Sequence, residues 1–243
     1  MDSSNTANKN HSLTLVVGIL IALFYYQAMD YIVFYHLKSS LITLYCHDLL
    51  ICSEVILLYF YSKKVENKEF LVWPEKQRSI QFYIISIISL FLIASISGVL
   101  GNFPKWFKWH ELWNMRPSRH FMKVAIEWYQ QSVFICILST ALWSVATELI
   151  FRGYLLPRLS ILTKSRVGGV IGSSLLYTFF PFIKGTLRRL IMDFVSSIIL
   201  AVFYLNFRNI KVVIIVRVII DLMFMLIWRE YYLRYGSSLL KLY

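Results

Sequence analysis

The chain is poor in cysteine, histidine, proline and acid, and each shortage removes a class of protein. Its three cysteines, Cys46, Cys52 and Cys136, are odd in number and lie in apolar runs, which argues against a disulfide framework. They read as small buried hydrophobes. Thirteen acidic residues against 25 basic ones leave a net charge of +12. The Lys and Arg fall in short links rather than along one face, so no nucleic-acid partner is expected. Contact with anionic head groups of membrane lipids accounts for them better. Sustained period-2 alternation is missing, which disfavours a transmembrane barrel. Neither an internal repeat nor a low-complexity segment is visible.

What is abundant is apolar: 58% of residues are hydrophobic, 17% are aromatic, and the mean hydropathy is +0.62. Apolar runs reach the ~20 residues that a helix needs to cross a bilayer. The expected fold class is all-α, a polytopic transmembrane bundle of about seven spans, and the expected localisation is integral and multi-pass. The polar tail 1–12 is followed by a run too long for a signal-peptide core, read as a retained anchor. Four regions follow: this tail, N-terminal spans with an interfacial segment over 13–123, a core over 124–228, and a basic aromatic tail over 229–243.

The spans are expected at about Leu13 to Tyr35, Ser40 to Tyr61, Ile80 to Leu100, Val124 to Leu156 (stopped by Pro157), Gly168 to Phe182, Leu190 to Phe207 and Val212 to Trp228. Arg158 to Arg166 reads as a basic link. Trp106, Trp109 and Trp113 among basic residues read as an interfacial helix or belt. His47 and Glu54 share a helix face, but two groups without a third ligand more often hydrogen-bond across a bundle than hold a metal. Pro117 separates His110 and Glu111 from His120. No metal and no cofactor is expected.

Within the late spans, Thr147-Glu148-Leu149-Ile150-Phe151-Arg152-Gly153 puts a carboxylate and a guanidinium one turn apart on one helix face. Intramembrane charges are costly unless paired, so such a turn is a candidate site by default. Two further segments carry polar groups in apolar surroundings: Ser173 to Pro181, with Tyr177, and Arg217-Val218-Ile219-Ile220-Asp221.

In order and spacing these three segments resemble the CPBP family, the CAAX-protease and bacteriocin-processing (Abi) intramembrane endopeptidases. That family's pattern is Glu-Glu-x-x-x-Arg, then Phe-x-x-x-His, then His-x-x-x-Asn. The resemblance covers roughly Val133 to Met225, and Phe151-Arg152-Gly153 is its most specific part. It implies a CAAX-protease-like helical fold. It also implies a site in which the first Glu and the second-motif His activate a water, while the third motif's His and Asn hold the oxyanion.

Carried over position by position, Thr147 stands at the base Glu, Pro181 at the second-motif His, Arg217 at the third-motif His and Asp221 at the Asn, with Tyr177 at the Phe. Glu148 and Arg152 are retained. None of the five histidines lies in these segments. A carboxylate paired with arginine is a weak base at neutral pH. The expectation is therefore a catalytically degenerate member that binds a membrane-embedded or lipidated peptide, or serves as an immunity or accessory factor. The competing reading is an active intramembrane endopeptidase with Glu148 or Asp221 as base and Arg217 on the oxyanion. A transporter lined by Asp30, Glu54, Asp193 and Asp221 is a third, which no inverted repeat supports. Glu148 with Arg152 and Arg217 with Asp221 are further expected to close into one neutral four-charge network.

Overall fold

The structure, a computed structural model, describes residues 12–25, 28, 40–73, 78–100, 126–179 and 187–241. Among them there is no strand. The helices are α1 (Ser12–Tyr25), α2 (Ser40–Lys64), α3 (Ile80–Leu100), α4 (Val133–Glu148), α5 (Leu156–Leu162), α6 (Arg166–Phe179), α7 (Leu187–Phe207) and α8 (Ile210–Lys241). A π-helical turn, Leu149–Leu155, joins α4 to α5 without a break. Asp30, Pro181 and the segment holding Trp106, Trp109, Trp113, His110, Glu111 and His120 lie outside the described residues.

Sequence periodicity locates α3 and the C-terminal end of α7 well, because polar links bound both. Three boundaries differ. The helix expected from Val124 is interrupted at Gln130 and Gln131, and α4 starts afresh at Val133. Ser132 caps it, accepting from the Ile135 N–H at 3.3 Å. Pro157 does not stop the helix: it occupies the first turn of α5, where a missing N–H costs least. The π turn prepares that place, with the Leu156 N–H donating to the Phe151 carbonyl five residues back. Finally, α8 runs through the expected boundary at Trp228 to Lys241, since no Gly or Pro breaks it between Ile210 and Tyr235.

The C-terminal part of α8 is held as well as helical. Tyr232 stacks on Tyr129 at 4.9 Å and Arg229 donates to the Gln131 carbonyl at 3.3 Å. The interruption before α4 thus serves as the seat for the end of α8.

Two apolar cores flank the π turn. On one side Ile19 and Ala22 of α1 and Ile51 and Leu58 of α2 pack with Ile150, Phe151, Tyr154 and Leu155. On the other, Leu156 joins Leu200, Ala201 and Tyr204 of α7 and Val212, Val213 and Val216 of α8. Every residue from Ile150 to Leu155 is buried, so this turn is enclosed on all sides. Gly153 eases the close approach there. A Cβ at that position would lie 2.9 Å from Leu71 Cδ2, so glycine lets the segment after α2 close over the turn.

The outside is apolar too. Ile80, Ile84, Ile85, Ile88 and Leu92 of α3 and Phe134 and Leu138 of α4 are exposed. A water-soluble surface does not carry stripes of this kind, whereas a lipid-facing one requires them. Two continuous helical stretches among the described residues, Val133–Leu162 and Leu190–Phe207, are long and apolar enough to cross a bilayer.

Candidate functional site

The retained pair lies at the junction of α4 and the π turn. Arg152 Nε is 3.2 Å from Glu148 Oε2, and both side chains are closed off from solvent. Their alignment is that of an ion pair rather than of a hydrogen bond. Among the described residues neither Glu148 oxygen accepts a hydrogen bond, and Arg152 Nη1 donates none. Arg152 spends Nη2 instead on α7, donating to Ser197 Oγ at 2.8 Å and to the Ser197 carbonyl at 3.3 Å. The guanidinium therefore ties the motif helix to α7 as well as to Glu148.

Arg217 and Asp221 sit one turn apart on α8. Arg217 Nε donates to Asp221 Oδ2 at 2.8 Å. The same oxygen accepts from Ser144 Oγ of α4 at 2.8 Å, which pins α8 to the helix carrying Glu148.

Tyr177 of α6 brings the two pairs together. The Arg152 guanidinium lies 4.6 Å from the centre of its ring and that of Arg217 lies 5.1 Å away. Phe151 meets the same ring edge-on at 5.2 Å. The expected closed four-charge network is corrected accordingly: among the described residues no ion pair links Glu148 or Arg152 to Arg217 or Asp221. The Tyr177 ring meets both cations and attracts them through its π face, and the four charges still act on one another without direct contact. The sum of zero is also incomplete, because the charge of Asp193 on α7 acts on Arg217 as well.

Thr147 stands beside this assembly but is turned away from it chemically. Its hydroxyl donates back to its own helix, to the carbonyls of Trp143 at 2.9 Å and Ser144 at 3.0 Å. Glu148, Arg152, Tyr177, Arg217 and Asp221 are thus gathered in one place, Thr147 adjoins them, and Pro181 lies outside the described residues. Of the earlier pair on α2, His47 stacks on Trp143 at 4.7 Å, and Glu54 is fully buried with no hydrogen bond to either oxygen among the described residues.

Sequence reasoning missed a second buried cluster. Arg158, expected in an exposed basic link, is fully buried and clasps Glu66 with Nε and Nη2. Arg158 Nη2 also donates to Ser62 Oγ at 2.7 Å, and Tyr154 donates to Glu66 Oε1 at 2.8 Å. The guanidinium lies 3.6 Å from the centre of the Tyr154 ring. The continuation of the helix past Pro157 is what turns Arg158 inward. The i,i+4 spacing of Tyr154 and Arg158 was the one available signal, and it names no partner before Leu71.

A helical bundle with stripes of exposed apolar residues, enclosing ion pairs around a buried π turn, has the make-up of a membrane protein with a buried polar cluster. Residues 128–223, under half of the 243-residue chain, match the family model for type II CAAX prenyl endopeptidases, Rce1-like. Over this segment the chain is similar to that CAAX-protease family, and all seven motif positions from Thr147 to Asp221 fall inside it. No curated protein and no solved structure matches the chain.

Proposed function

We propose that this protein is a multi-pass, non-hydrolytic relative of the CAAX endopeptidases that binds a membrane-embedded or lipidated peptide, as an accessory or immunity factor would. The observation that carries this is the Thr147 hydroxyl, committed to the carbonyls of Trp143 and Ser144. It stands where the family pattern has the water-activating carboxylate, and a hydroxyl bonded to its own helix cannot take a proton from water. The positive charge of Arg217 at the oxyanion position is divided between Asp221 and the Tyr177 ring. The stripes of exposed apolar residues on α3 and α4 support several spans in contact with lipid.

One observation favours the competing reading of an active endopeptidase: both Glu148 oxygens are free of hydrogen bonds. A single experiment separates the two. The purified protein in lipid nanodiscs is incubated with a fluorescent farnesylated peptide ending in a CAAX sequence, and binding and cleavage are both followed. Saturable binding with the peptide intact is expected. Cleavage that disappears in both Glu148→Gln and Asp221→Asn would instead establish a working protease.

A further inference from the structure

Two guanidiniums at one end of the bundle lie against aromatic rings and have no anion. Arg78, just ahead of α3, lies 5.2 Å from the centre of the Phe82 ring, and Arg208, between α7 and α8, lies 5.8 Å from that of Trp73. Among the described residues no carboxylate pairs with either. The rings belong to one apolar cluster, in which Phe82 meets Phe203 and Phe207 while Trp73 meets Tyr204. Asn209 donates to the Tyr83 hydroxyl at 3.0 Å, which fastens the α7–α8 corner to the start of α3.

The long apolar stretches stop at this end. Val133–Leu162 and Leu190–Phe207 are each long enough to cross a bilayer, and Lys164 follows the first as Arg208 follows the second. The segment after α2 ties the two ends together: Glu66 and the Phe70 carbonyl hold Arg158, and Trp73 meets Tyr204 and Arg208. Lys63, Lys64, Lys164 and Arg166 are exposed at the same end, against one exposed acid among the described residues, Glu69. Lys164 and Arg208 have φ of 50° and 51°, the left-handed region where a helix end usually places glycine. At both corners the chain keeps a basic side chain where the backbone favours its loss.

Charge and surface together select the ligand. Guanidiniums without a carboxylate call for an anion, and phosphate suits their fork of donors. Beside them the surface is apolar: Ile80, Ile84, Ile85 and Ile88 are exposed along α3, starting two residues after Arg78. A soluble anion would meet the arginines and leave this stripe bare, whereas a phospholipid covers both. Tryptophan and tyrosine at the same level are the usual neighbours of head groups.

We infer that the α7–α8 corner, with Arg78 and Arg208 set on the Phe82 and Trp73 rings, binds the phosphate of an anionic phospholipid whose acyl chains lie along α3. The site is separate from the Glu148–Arg152 cluster and independent of the peptide-binding reading.

The test uses the full chain in a neutral detergent, titrated with phosphatidylglycerol or with phosphatidylcholine while the melting temperature is followed. Phosphatidylglycerol should raise it at lower concentration than phosphatidylcholine does. Arg78→Gln and Arg208→Gly should each weaken the apparent affinity for phosphatidylglycerol about fivefold. Arg208→Gly also relieves the left-handed backbone, so its melting temperature without lipid should change little, and a lost lipid response there is not lost folding. Arg234→Gln removes the same charge from the far part of α8, where Arg234 pairs with Glu230, and should leave the response intact. A response unchanged in both Arg78→Gln and Arg208→Gly overturns the inference. An equal loss in Arg234→Gln also overturns it, since the effect would then be one of net charge. If glycerol phosphate without acyl chains produces the same shift, the corner is a site for a soluble anion and the inference falls.

Discussion

Arg158 holds Glu66 across 92 residues of chain, both side chains fully buried, with the Tyr154 ring beneath the guanidinium. This contact fastens the segment after α2 over the π turn that carries Arg152. Removing one member of a buried pair strands the other, which costs ~3–5 kcal/mol, whereas replacing both with apolar groups is far milder. Glu66→Leu and Arg158→Leu should each lower the melting temperature in detergent sharply. The double variant should lie above either single one, and additive losses would deny the coupling.

Gly18 allows α1 to approach that cluster. A Cβ there would lie 2.0 Å from the Tyr154 hydroxyl oxygen and 2.9 Å from both Glu66 Oε1 and Tyr61 Cε1. Gly18→Ala should destabilise by ~1–3 kcal/mol, the usual cost of overpacking. Tyr154→Phe removes the nearest of these atoms and should recover part of the loss when the two are combined, as thermal unfolding of the four proteins would reveal.

Thr147 makes hydrogen bonds only to carbonyls within its own helix. Thr147→Val should therefore change stability by less than ~1 kcal/mol. Thr147→Glu should be much worse, because it adds a second buried carboxylate next to Glu148 without adding a cation. Comparison of the two by thermal shift tests whether the position is built for a neutral residue.

Arg152 divides its guanidinium between Glu148 and Ser197. Lysine keeps the charge but has no fork with which to reach both. Arg152→Lys should cost ~1–3 kcal/mol. Ser197→Ala removes only the hydroxyl contact and should cost less, since the Ser197 carbonyl still accepts from Nη2. Equal losses in the two variants would mean that lysine keeps the Glu148 contact and gives up only the Ser197 hydroxyl bond.

How much was legible depended on the range of the interaction. Apolar runs bounded by polar links announce helices, because burial and backbone pairing in an apolar medium act on contiguous residues. Thus α3 and the retained Glu148–Arg152 pair could be read directly. The i,i+4 geometry also predicts Arg217 with Asp221. Pro157 misled because its effect depends on what precedes it: after a π turn it begins a helical turn instead of ending a helix.

By itself the sequence determined an all-helical, apolar chain, the three segments that match the CAAX-protease pattern, and the two ion pairs that span single helical turns. Each of these is written in spacings of a few residues. Only the tertiary structure decided that the Tyr177 ring meets both Arg152 and Arg217, that Asp221 is shared with Ser144, and that Arg158 belongs to Glu66. Those contacts join residues from 25 to 92 positions apart, with Arg152 and Tyr177 at the near extreme and Glu66 and Arg158 at the far one. Which distant side chains meet is set by the packing of whole helices about the π turn, and no local pattern encodes it.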